Sequence, residues 1–194
     1  VQKTFGESNL VITALADQVR DLRDMASKRG LEAAALREEL NHSLKTAFER
    51  NPKVLGIWLA YEPNALDGKD SEFLNDAARA SNERGRFATY WSRSGGQQLN
   101  TVMVEDDLTK TTLNLSGTPY NVWYTCPRDS RRTCLLDPYA DTIGEDKKQV
   151  LMTTISQPLL VDGKVIGVIG VDIALDSLQA AAGESQRFLF NGAG

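Results

Sequence analysis

Apolar residues between positions 7 and 50 recur at three- and four-residue steps: Leu10, Ala14, Val19, Leu22, Met25, Leu36, Leu40, Leu44 and Ala47. This is the spacing of one face of an α-helix. The stretch holds no proline and one glycine, Gly30, so it reads as a single long amphipathic helix within residues 1–51. At 1.5 Å per residue it would reach roughly 60 Å, longer than a module of this size normally uses. It reads as a spine, packing in part on something beyond the chain. Asn51-Pro52 ends it, because proline disfavours helix at the residue before it.

After Pro52 the period changes from 3.6 to 2. VLGIWLAYE (54–62) alternates as a strand and ends in a Pro-Asn turn. Residues 64–84 are polar and read as loop, with a short helix near 71–80. Residues 86–107 read as two strands joined across Ser94-Gly95-Gly96. Residues 118–134 read as a short helix and loop, with Pro119 at the first helical position. The clearest hairpin is 150–175, where two β-branched runs flank Asp162-Gly163, a turn pair that favours positive φ. DSLQAAAG (176–183) reads as a short helix capped by Asp176 and ended by glycine. The order predicts an α+β fold: a long helix, then an antiparallel sheet of about five strands flanked by helices.

Composition narrows the function classes. The 194 residues carry 22 Lys+Arg against 26 Asp+Glu, a net charge of −4. With 41% apolar residues the chain is too hydrophobic for disorder, and its length allows one domain, or one plus a fragment. Its mild acidity argues against nucleic acid, which wants a basic stripe. No run of 18 apolar residues occurs, so no segment reads as a membrane span, and no signal peptide is recognisable. The first residue is Val, which reads as a chain excised from something longer.

Cys126 and Cys134 are the only cysteines. Around a polar, proline-containing loop, this spacing reads as a small disulfide-closed loop in an oxidising compartment, with free structural thiols as the alternative. A metal site lacks ligands, because the sole histidine, His42, lies far off in a polar helix. No nucleophile–base pair or GxSxG elbow presents itself, so the chain does not read as an enzyme and implies no cofactor. Gly163, Gly167 and Gly170 lack the context of a phosphate loop and read as glycines that permit close packing on a sheet.

One feature stands above that background. Six of the eight Trp and Tyr residues fall between 87 and 139: Tyr90, Trp91, Tyr120, Trp123, Tyr124 and Tyr139. Asp137, Asp141 and Asp172 lie among them or on the adjoining hairpin. Aromatic faces attract cations, and a carboxylate at one end of such walls would make an organic-cation site. The plainer reading is rings packing the sheet against its helices. Asp172 sharpens the case, because it interrupts an apolar strand, VIGVIGV-Asp-IAL, where a carboxylate is costly unless it meets a cavity or partner.

The succession of the long helix, YW (90–91), NVWYTCP (121–127), DPYAD (137–141) and VLMTTISQPLLVDGKVIGVIGVDIAL (150–175) resembles the double-Cache sensor domains of bacterial chemoreceptors. The resemblance covers essentially the whole chain. It implies a spine helix at 1–51, a membrane-distal PAS-like ligand-binding module at 52–183, and the start of a truncated membrane-proximal module at 184–194. It also implies a periplasmic location, a parent anchored in the inner membrane, and dimerisation through the long helix.

Amino-acid-sensing members resemble the pattern Arg-x-Trp-Tyr, whose arginine clamps the ligand carboxylate; here that position is Asn121. The resemblance therefore implies a ligand with a cationic end and no carboxylate: a polyamine, a biogenic amine or a quaternary amine such as choline. Asp172 and Asp141 would take the ammonium charge. Tyr90, Trp91, Tyr120, Trp123, Tyr124 and Tyr139 would form the walls, with Asn121 and Asp137 alongside. The alternative is an amino-acid or small-carboxylate sensor that uses Arg86, Arg93 or Arg128 as its clamp. An extracytoplasmic hydrolase would need a catalytic set that is not found.

Overall fold

Gly30 divides the N-terminal helix in two. The computed structural model describes residues 2–144, 147–180 and 182–183. Within it α1 spans Gln2–Arg29 and α2 spans Ala33–Arg50, in place of the single helix that periodicity predicts. The break has a local cause. Gly30 adopts φ +65°, and the Leu31 amide reaches back to the Ala26 carbonyl at 2.9 Å. This is the left-handed C-terminal cap that glycine permits. It lets α1 and α2 pack on each other and on one side of the sheet. Val19, Leu36, Leu40 and Leu44 are buried as the pattern requires, whereas Leu10 stands 70% exposed and Met25 also faces out.

The sheet follows as β1 Gly56–Tyr61, β2 Ala88–Ser94, β3 Gln97–Val102, β4 Cys134–Leu135, β5 Tyr139–Ile143, β6 Lys148–Val161 and β7 Lys164–Ala174. Seven strands replace the expected five. The path is β3-β2-β1-β7-β6-β4, with β5 also pairing with β6, and every pairing is antiparallel. The added two are β4, of only two residues, and β5, which is largely open to solvent and so carries little hydrophobic signal. The β6–β7 turn sits at Asp162-Gly163, both at positive φ, as the dipeptide predicts.

The helix expected near 71–80 is instead two 3-10 turns, Asp70–Glu72 and Ala77–Arg79. A short α3, Glu105–Thr109, forms in the acidic run that follows β3. Then α4 spans Val122–Ser130, so Pro119 lies ahead of it, bridging to Leu113, and not at the first helical position. Residues 175–180 are helical, which puts Asp176 inside the first turn and not at its cap. The expected start of a second module at 184–194 lies outside the described residues.

Alternation assigns the two faces. Ile57, Leu59 and Tyr61 of β1 join Ile169, Val171 and Ile173 of β7 against buried residues of α1 and α2. Trp58 and Ala60 of β1, with Val168 of β7, join Trp123 and Tyr124 of α4 on the other face. A disulfide links Cys126 in α4 to Cys134 in β4, tying the helix to the sheet edge. Chain-entropy reasoning gives so short a loop about 2–3 kcal/mol. The Cys126→Ser/Cys134→Ser double variant is expected to lose that amount in urea unfolding; an unchanged midpoint would rule the contribution out.

Candidate functional site

On the face away from α1 and α2, the sheet closes over a cavity of about 270 Å³. Its floor depends on two glycines. Tyr90 of β2 lies across Gly56 of β1, where a Cβ would sit 2.4 Å from the ring, and so reaches Asp172, which pairs with Gly56 on β7. Trp58 likewise lies over Gly170, where a Cβ would sit 2.2 Å from the indole. Any side chain at either position would displace a wall of the cavity.

Asp172 lies at the base, 4% exposed. Its Oδ2 accepts a 2.8 Å hydrogen bond from the Tyr90 hydroxyl. Its Oδ1 accepts one of 2.6 Å from Thr154 Oγ1, and Thr154 in turn stands 2.6 Å from the Tyr139 hydroxyl. Because Thr154 donates to the carboxylate, Tyr139 must donate to Thr154. Burial raises Asp172 to about 6; hydrogen bonds from Thr154, Tyr90 and Trp58 pull the other way, and Asp141 adds to the rise. Burial and the neighbouring Asp172 push Tyr90 and Tyr139 well above the usual tyrosine value, so both stay neutral donors. A carboxylate offers about four lone-pair sites, so Asp172 keeps accepting capacity beyond these partners.

The opposite rim is acidic too. Asp141 and Asp107 both line the cavity and both titrate above the usual carboxylate range. Burial is the main cause in each; Asp141 raises Asp107 further, while Lys110 lowers both. Tyr120 stands between them and Trp123, its hydroxyl 3.5 Å from Asp141 Oδ2. Trp123 meets Trp58 edge to face with ring centroids 5.0 Å apart. Among the described residues no Lys or Arg lines the cavity.

Of the residues singled out by sequence, Tyr90, Tyr120, Trp123, Tyr139, Asp141 and Asp172 line this cavity together. The other four do not. Trp91 follows Tyr90 on a strand and so faces the helices, donating from Nε1 to Asn41 Oδ1 at 2.9 Å. Tyr124 is turned from Trp123 around α4, and its hydroxyl bonds Glu62 and Arg86. Asn121 is buried against the α3 segment, donating to the Leu108 carbonyl at 2.9 Å. Asp137 is exposed and borders a neighbouring cavity.

Sequence reasoning missed Trp58, Asp107, Thr154 and Met103. Alternation in GIWLAY places Trp58 on the Tyr90 face and could have found it; nothing local marks Asp107.

The three arginines considered as carboxylate clamps are engaged elsewhere. Arg86 donates to the Tyr61 carbonyl and pairs with Glu105 at 2.8 Å. Arg93 donates to the carbonyls of Val54 and Phe48 on the helix side. Arg128 pairs with Asp129.

The helix-backed antiparallel sheet resembles solved structures that include a methyl-accepting chemotaxis protein and an extracellular domain assigned to a histidine kinase. Residues 40–180 match the family described as "Methyl-accepting chemotaxis protein-like, first PDC sensor domain", and the chain belongs to it. It is 46% identical over its full length to the methyl-accepting chemotaxis protein TlpQ of Pseudomonas aeruginosa, and spans 27% of that relative. Methyl-accepting chemotaxis protein X superposes with a TM-score of 0.59 at 26% identity, over 91% of this chain and 64% of the other. The periplasmic sensory domain of the Campylobacter jejuni chemoreceptor Tlp1 gives 0.58 at 13% identity, over 92% and 57%, a likeness of fold alone.

Proposed function

We propose that this chain is the membrane-distal module of a double-Cache chemoreceptor, facing the periplasm, and that its cavity binds a small organic cation. The observation that carries the reading is the lining. Three carboxylates and five aromatic rings surround the cavity, and no basic side chain among the described residues enters it. An ammonium group would meet Asp172 at the base, with Trp58, Tyr90, Trp123 and Tyr139 offering their faces or edges. A carboxylate-bearing ligand would find no Lys or Arg among the lining residues to clamp its negative end; Lys110 sits outside, over the Tyr120 ring at 5.1 Å, where it faces Asp107 and Asp141. A cation that favours one arrangement of the sheet and helices shifts the receptor toward that arrangement, and only such a difference in affinity can signal.

Calorimetric titration with an amine and with its parent amino acid tests this directly. The amine is expected to bind and the amino acid to bind far more weakly; preference for the amino acid would overturn the reading. The pH dependence is equally specific. Ammonium binding needs ionised Asp172, whose carboxyl rises to about 6, so a proton competes with the ligand below that pH. Affinity is expected to fall by about tenfold per pH unit as pH drops below 6. A flat profile from pH 7 to about 5 would remove Asp172 from the contact.

A further inference from the structure

Three of the rings that wall the Asp172 cavity also wall a second one. Tyr120, Trp123 and Tyr139 are shared with an adjoining space of about 200 Å³. Beyond them the second space is bounded by Ser116 and Thr118 on one side and by Leu135 and Leu136 on the other, with Asp137 at its edge. The indole Nε1 of Trp123, within this partition, is buried without a hydrogen-bond partner.

The three rings are not held equally. Trp123 packs against Trp58 at 5.0 Å, and the Tyr139 hydroxyl is tied to Thr154 at 2.6 Å. Tyr120 is anchored through its amide, which donates to the Thr112 carbonyl at 2.9 Å, and its ring packs only at the edge of the Trp58–Trp123 cluster. Its hydroxyl has a single 3.5 Å approach to Asp141, at the outer limit of a hydrogen bond, and the Lys110 ammonium stands 5.1 Å from its ring. It sits in a turn ahead of α4, at the end of a segment whose Leu113 and Leu115 are exposed.

We propose that Tyr120 is a movable partition, and that the second cavity receives the far end of amines too long for the first. This rests on the amine reading above. Alone, the first cavity falls just short of the roughly 300–1,000 Å³ typical of ligand pockets; joined to the second it enters that range. Leu135 and Leu136 suit the methylenes of a longer ligand. The hydroxyls of Ser116 and Thr118 and the Asp137 carboxylate suit a polar or cationic distal group.

The test compares butylamine with decylamine by titration calorimetry on the wild type, Leu135→Trp, Thr118→Trp and Tyr120→Ala. The two tryptophans fill the second cavity from opposite walls, so a folding failure in one leaves the other. Each is expected to weaken decylamine by about tenfold or more, the worth of a few buried methylenes, while leaving butylamine unchanged. Tyr120→Ala is expected to shift preference toward decylamine. Equal changes for both amines, undiminished decylamine binding in the filled variants, or no wild-type binding of decylamine would each overturn the partition while leaving the amine reading intact. Failure of the wild type to bind either amine would overturn that reading, and this inference with it.

Discussion

Asp172→Asn is expected to weaken amine binding by about 2–5 kcal/mol, or roughly 30-fold or more, without unfolding the domain. Asparagine keeps the shape and an oxygen for Thr154 or Tyr90, so the loss isolates the charge. The unliganded protein should show the complementary sign. Asp172 titrates near 6 when folded, against the usual 3.8. The folded state therefore holds the proton more tightly than the unfolded chain, and this carboxyl stabilises the fold as pH falls from about 6 toward 3.8. That gain is complete below 3.8 and is lost as pH rises through about 6. In Asp172→Asn this part of the pH dependence should vanish, and stability at neutral pH should match or exceed the wild type. Thermal unfolding from pH 4 to 8 reads the stability, and calorimetry reads the binding. Wild-type affinity in the variant would take Asp172 out of the site.

The largest stability effect is expected far from the cavity. Arg37 of α2 is wholly buried, donating to Asp67 Oδ1 at 2.9 Å, Asp70 Oδ1 at 2.8 Å, Ser81 Oγ at 2.7 Å and the Gly85 carbonyl at 2.6 Å. Its guanidinium also stacks over Phe73 at 4.2 Å. Burial works against its charge, but its hydrogen bonds to Asp67 and Asp70 and their negative charges outweigh it and hold the group protonated. Arg37→Ala removes the cation and leaves two nearly buried carboxylates unpaired. The expected cost is about 3–5 kcal/mol, a fall of roughly 6–20 °C in melting temperature. Adding Asp67→Asn and Asp70→Asn should recover much of it, because the stranded charges are then gone. If Arg37→Ala melted like the wild type, the clasp between α2 and the 62–85 loop would be irrelevant to stability.

What the sequence conveyed tracks how local each signal is. The 3.6-residue period found the N-terminal helical stretch, the period of two found β1, and the turns at Ser94-Gly95-Gly96 and Asp162-Gly163 marked the β2–β3 and β6–β7 hairpins, because each is written in adjacent residues. Gly30 was equally local, but helical periodicity continues past it, and only its left-handed backbone reveals the break. At the cavity, composition gathered the aromatics and aspartates but could not orient them. Trp91 and Tyr124 are neighbours in sequence of residues that line the cavity, and strand alternation or helical rotation sends them elsewhere. Trp58 enters because the facing position across the sheet, Gly170, leaves room for its ring. Asp107 enters through the packing of α3, and the Arg37 clasp joins residues 30 or more positions apart. Such partnerships exist only once the chain has folded.

The glycine floor has a mechanical consequence. At Gly56 and Gly170 the rings of Tyr90 and Trp58 rest directly on backbone, with no side chain to cushion them. On the reverse of the same strands, Ile57, Leu59, Ile169 and Val171 press against the helical layer. Cavity and helices are thus separated by one thickness of peptide. A guest that lifts or tilts either ring loads the two central strands at once, and their far side must answer in the same movement. A ring displaced on one side would bear on the helix-facing side through that single layer.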